Sequence, residues 1–119
     1  MNAEPCLDVA TLEKLTQIGG KEFATEMINL FLSYVPKKLA EARAAGQTGD
    51  RLGVRNAVHP IKSSAANIGA RPMRDLAARI EQLASEQHCE SMGPLLTELE
   101  AAFEQVKAHL QEHRKELGP

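Results

Sequence analysis

The sequence predicts an all-α fold: an antiparallel four-helix bundle with an additional short helix at its N-terminus. Three observations predict it. Apolar residues recur at three- and four-residue spacing along several stretches. Gly, Asp and Pro punctuate those stretches at positions suited to helix ends. No stretch has the period-two alternation or β-branched enrichment of a strand. At 119 residues the chain suffices for one domain and one contiguous core, expected to cover residues 1–119 with packing from about residue 7 to residue 117.

Asp8 suits the cap of a first short helix carrying Val9, Leu12, Leu15 and Ile18, which Gly19 and Gly20 stop. A second helix is expected from Lys21 to about Ala45, with Phe23, Met27, Leu30, Phe31 and Tyr34 at helical spacing. Pro36 inside it removes a donor and crowds the Leu32 carbonyl, so a kink is expected there. The run Gly46-Gln47-Thr48-Gly49 breaks the chain, and Asp50 caps a third helix that Gly69 ends. Pro72 fits the first turn of a fourth helix with the apolar stripe Met73, Leu76, Ile80 and Leu83. Residues 85–93 read as a loop, and Pro94 opens a last helix carrying Leu96, Leu99, Phe103, Val106, Leu110 and Leu117.

Composition excludes several classes of function. Aromatics are 3% of the chain, tryptophan is absent and the formal net charge is −2. Stacking platforms and basic surfaces for nucleic acid are therefore both missing. No run approaches the roughly 18 apolar residues of a membrane span, and the first ten residues do not form a signal peptide. A cytoplasmic location is expected. Cys6 and Cys89 have no metal-type spacing. Reduced thiols are expected, with a disulfide open on sequence alone.

The chemistry concentrates in His59-Pro-Ile-Lys-Ser-Ser-Ala-Ala-Asn-Ile-Gly-Ala70. On a helix turning about 100° per residue, Val54, Val58, Ile61, Ala65 and Ile68 share a core direction, and His59 points about 140° away from it. Lys62, Ser63 and Ala66 follow at i+3, i+4 and i+7, the spacings that share a face. The imidazole is therefore expected to face water beside a cation and small side chains. Arg55, four residues earlier, and Lys62 should both disfavour the imidazolium and attract an anionic group bound to the ring. Ser63, Ala66 and Ala70 would keep an approach to the ring open, although alanines at these positions also suit tight helix packing. Pro60 deprives the Asn56 carbonyl of its donor and should bend or widen the helix; a restart of the helix with His59 at its cap is the alternative.

His59, Ile61, Lys62, Ser64, Ala65, Ala66 and Gly69 make this run resemble the phosphoacceptor motif of histidine phosphotransfer (HPt) domains, and the order of helical segments resembles the whole family domain. Ser63 stands where the family usually has glycine, and Pro60 where a helix former is more usual. The resemblance implies that His59 accepts a phosphoryl group from a receiver-domain aspartate and passes it on, or the reverse, in a two-component phosphorelay. Lys62 would stabilise phosphoryl charge, with Arg55, Ser63 and Ala66 on the receiver docking face. The chain would be a monomeric phosphoryl carrier rather than an enzyme, either a separate protein or a cytoplasmic domain of a membrane-bound hybrid sensor kinase, holding no cofactor, with Mg²⁺ on the partner receiver. A docking module of the same fold that accepts no phosphate is the alternative. An acid–base hydrolase built on His59 and Lys62 lacks a pocket and an orienting carboxylate in the run.

The relay reading requires the imidazole to be solvent-accessible and chemically free, with neither a carboxylate nor a metal clamping it. The other histidines read as structural. His109 and His113 are spaced i, i+4 but have no evident third ligand, and His88 falls in the expected loop.

Overall fold

The computed structural model describes residues 6–86 and 92–118. Four helices follow one another: α1 (Val9–Gln47), α2 (Arg51–Ile68), α3 (Arg71–Ser85) and α4 (Met92–Leu117). Each packs against its neighbours in sequence, and α4 returns to α1, which closes a four-helix bundle. Turns as short as Thr48–Asp50 and Gly69–Ala70 force successive helices to run antiparallel.

The short N-terminal helix and the long one after it are joined into α1, whose only non-helical torsions are at Gly20 (φ 86°, ψ 177°). Glycine enters that region without the Cβ penalty other residues meet. Pro36, by contrast, sits within helical torsions. The kink expected near Leu32 is absent from the backbone torsions, which stay helical through Pro36. The last helix begins at Met92, two residues before Pro94.

The core is built from Ile28, Val35, Val54, Val58, Ile61, Ala65, Met73, Ala77, Ile80, Leu99 and Leu110, each fully buried, and holds no charged or polar side chain among the described residues. Burying one such aliphatic side chain contributes about 1.5–3 kcal/mol. The stripe expected on the third predicted helix is therefore the inward face of α2. The stripe on the first segment is only partly so: Leu12 is buried, but Val9 and Ile18 are exposed. Leu30 and Tyr34 of α1 are also exposed. They sit beside the inward row Ala24, Ile28, Phe31, Val35, Leu39 and Ala42, which takes up the space facing the other helices.

Asp8 ties the two ends of the first half together. Its carboxylate accepts from Ala10 N–H (3.2 Å) and from the Thr11 hydroxyl (3.1 Å), capping α1. It also pairs with Arg71 at 2.8 Å. Its backbone N–H donates to the Gly69 carbonyl at 2.8 Å. Gly69 is the left-handed C-cap of α2 (φ 86°), and a Cβ there would lie 2.8 Å from Thr11 Cβ. Both the turn and the close approach of the N-terminal segment thus require glycine.

Candidate functional site

Helix α2 carries the site. Asp50 starts it by accepting from Gly53 N–H at 2.9 Å, and the turn at Gly69 stops it, with Ala70 N–H bonded to the Ala65 carbonyl at 2.8 Å. Between them the helix is continuous through Pro60, so it neither restarts nor breaks at the histidine. Asn56, whose carbonyl loses its donor to the proline ring, is exposed and can be solvated. The angular relation between His59 and the buried stripe therefore holds: Val54, Val58, Ile61, Ala65 and Ile68 are all buried, while the His59 side chain is 61% exposed.

The ring is accessible but not free. His59 Nδ1 lies 2.6 Å from Glu81 Oε2, and the other oxygen of that carboxylate accepts from Lys62 Nζ, also at 2.6 Å. The expectation of an imidazole without a carboxylate partner is thus corrected. An ionised carboxylate can only accept, so Nδ1 carries the proton shared with Glu81, and in the neutral ring the lone pair is then on Nε2. Among the described residues Nε2 has no partner. Only one ring nitrogen has to be available for bond formation, so a carboxylate on the other orients the nucleophile without blocking it.

Glu81 stands on α3, and its side chain is only 17% exposed. Burial pushes its carboxyl up, but the hydrogen bonds and charges of Lys62 and His59 outweigh that and hold it below the usual range. The α2–α3 hairpin explains how it reaches the ring: Gly69 lies ten residues after His59 and twelve before Glu81, so an antiparallel turn brings the two side by side. Sequence reasoning confined to the motif missed Glu81; counting outward from the Gly69 turn is the signal that finds it.

The small-residue face is present in part. Ser63 and Ala66 are exposed. Ala70 is fully buried, because it is the N-cap of α3 and sits inside the hairpin turn, so it does not border the approach to the ring. Arg55 is exposed, and no described residue pairs with it. The Ser63 hydroxyl likewise has no hydrogen-bond partner among the described residues. On the flank of α2 away from Glu81, Ser64 and Asn67 meet Met27, Leu30 and Tyr34 of α1 around a mostly apolar cleft of about 280 Å³.

The remaining candidates stand elsewhere. His109 and His113 line a cleft with Cys6 near the chain's N-terminal segment, remote in sequence from His59, and His113 Nε2 is buried without a partner. Among the described residues no three His, Cys, Asp or Glu side chains converge as a metal site would require. His88 and Cys89 lie outside the described residues. No described helix is long and apolar enough to cross a membrane.

Known proteins share this fold. Superposition on the crystal structure of histidine-containing phosphotransfer protein B from Pseudomonas aeruginosa PAO1 gives a TM-score of 0.90 over 96% of this chain and 98% of that one, at 22% identity, which establishes the fold. In sequence the chain is 27% identical to histidine-containing phosphotransfer protein 2 of Arabidopsis thaliana over 104 residues, 85% of this chain and 67% of that protein. It is 28% identical to the phosphorelay intermediate protein rdeA of Dictyostelium discoideum over 97 residues, 82% of this chain but 38% of that protein. The Hpt domain family model matches residues 26–109, a span that takes in both His59 and Glu81. By that match the chain belongs to the Hpt domain family, the histidine phosphotransfer domains of two-component phosphorelays.

Proposed function

We propose that His59 is the phosphoacceptor of this domain and that Nε2 is the atom that forms the bond. The observation that carries the reading is the Nδ1–Glu81 contact at 2.6 Å on a ring that is otherwise exposed. The donor is an aspartyl phosphate on a receiver domain: the Nε2 lone pair bonds to phosphorus as the bond from phosphorus to the carboxylate oxygen breaks, and the aspartate leaves with that electron pair. The ring then bears a positive charge, and the Nδ1 proton stays hydrogen-bonded to Glu81, whose negative charge offsets it. This is the service a carboxylate gives an imidazole in a hydrolase triad, fixing tautomer and orientation. Transfer onward reverses the step at a second aspartate. The chain thus acts as a carrier, and the Mg²⁺ such chemistry uses would be held by the receiver's carboxylates.

Lys62 offsets part of the Glu81 charge. An isolated carboxylate next to the ring would repel the incoming phosphoryl oxygens; paired with an ammonium, it does not. The receiver docks on the exposed face of α2 around Arg55, Ser63 and Ala66, and the neighbouring apolar cleft at Leu30 and Tyr34 supplies the desolvated contact that small polar residues lack. A cytoplasmic location and a monomeric state are consistent with this role.

Incubation with a phosphorylated receiver tests the assignment. The wild-type chain is expected to take up acid-labile label and His59→Gln to take up none. Labelling of the glutamine variant would overturn it; binding without labelling of the wild type would favour a docking module.

A further inference from the structure

The two cations expected to serve the phosphoryl group are not equivalent in the structure. Lys62 Nζ is 2.6 Å from Glu81 Oε1, and Glu81 is mostly buried. Its charge is therefore already balanced. Arg55 is exposed, one helical turn before His59, and no described residue pairs with it. Side chains on a helix lean toward its N-terminus, so the ring of His59 covers the turn on which Arg55 stands. Residues four apart have Cβ atoms about 6 Å from each other. A guanidinium at that distance presents a planar fork suited to two phosphoryl oxygens, which an ammonium cannot match.

We propose that Arg55, rather than Lys62, is the direct partner of the phosphoryl group once it stands on His59, while Lys62 is held back by Glu81. The proposal rests on His59 being the phosphoacceptor. Arg55 then slows loss of the group to water. In hydrolysis the nitrogen–phosphorus bond breaks with its electron pair going to the ring, and water oxygen bonds to phosphorus and gives up protons to form inorganic phosphate. Held in a two-point contact fitted to the phosphorylated ring, the guanidinium stabilises this ground state more than a transition state in which the phosphoryl group moves away from the ring and out of the fork.

The test uses the full chain, phosphorylated from a receiver that is then removed, with the decay of acid-labile label followed over time. Arg55→Ala is expected to shorten the lifetime of the label about two- to five-fold, the size of one exposed charge pair, and Arg55→Lys to restore part of it. Glu81→Gln keeps an acceptor for Nδ1–H but frees Lys62. In that background Arg55→Ala should matter less, because the released ammonium can take over. An unchanged lifetime in Arg55→Ala overturns the proposal, as does an equal effect of Arg55→Ala in both backgrounds. Failure of the underlying assignment shows separately, as label on His59→Gln.

Discussion

Glu81 Oε2 sits 2.6 Å from His59 Nδ1 across the α2–α3 hairpin, so the reactive ring of one helix is aimed by a carboxylate of the next. Removing that carboxylate frees the imidazole to rotate and to place its proton on either nitrogen. Glu81→Ala should therefore slow phosphoryl uptake from a receiver by about 10- to 100-fold, the cost of losing orientation at a reacting atom. Glu81→Gln, which keeps an acceptor oxygen, should lose less. Single-turnover transfer measured on both variants checks this; equal rates in wild type and Glu81→Ala would show that the contact does not serve transfer.

The same carboxyl makes stability depend on pH. Its acidity is raised in the folded chain, so its pKa lies below the ordinary 4.5. Such a group favours folding fully above the ordinary value, and the advantage disappears as pH falls through the lower folded value. Thermal melts should accordingly show wild type exceeding Glu81→Gln most near neutrality, with the gap closing at acid pH. A gap that widens in acid would contradict the direction of the shift.

Lys62→Ala should leave the bundle folded. Its ammonium pairs at the surface of α2, away from the buried stripe, and its side chain is 35% exposed. The stability change is expected within about 1 kcal/mol. Transfer should nevertheless slow, because Glu81 then faces the incoming phosphoryl group unneutralised. Denaturation and transfer measured on one preparation separate the two effects.

What the sequence made legible follows the range of each interaction. The inward face of α2 could be read directly because helical periodicity is local: Val54, Val58, Ile61, Ala65 and Ile68 all lie where the 100° rule puts them. Caps and stops at Asp8, Gly20, Asp50 and Gly69 were legible for the same reason, each resting on its own backbone geometry. Leu30 and Tyr34 were not, since spacing alone cannot tell a buried apolar residue from an apolar residue on a binding face. Ala70 read as part of the open patch, yet the hairpin turn buries it. Glu81 escaped because its partners come from another helix, and charge on an amphipathic helix ordinarily marks the solvated side.

Gly69 provides a test of the turn that sets this hairpin. With φ at 86° and a hypothetical Cβ 2.8 Å from Thr11 Cβ and 3.0 Å from the Asp8 carbonyl, alanine there meets backbone strain and a clash together. Gly69→Ala is expected to cost about 1–3 kcal/mol in chemical denaturation. Exposed Gly93, where a Cβ meets nothing within 4 Å, is the control and should tolerate alanine. A neutral Gly69→Ala would mean that the N-terminal segment does not lie against the α2–α3 turn.

The cleft between α1 and α2 makes the docking face testable apart from the chemistry. Leu30 is 61% exposed, so replacing it with aspartate removes little from the core, and the stability change should stay within about 0.5 kcal/mol. If a receiver covers this cleft while presenting its aspartate to Nε2, Leu30→Asp buries an unpaired carboxylate in the interface and should weaken association about 5- to 30-fold. Transfer should fall at low receiver concentration and recover when the receiver is saturating, since the groups around His59 are untouched. Titration calorimetry together with the concentration dependence of transfer reads both quantities. An unchanged affinity would place the receiver on the opposite flank of α2, over Lys62 and Glu81, where that ion pair and not the apolar cleft would meet it.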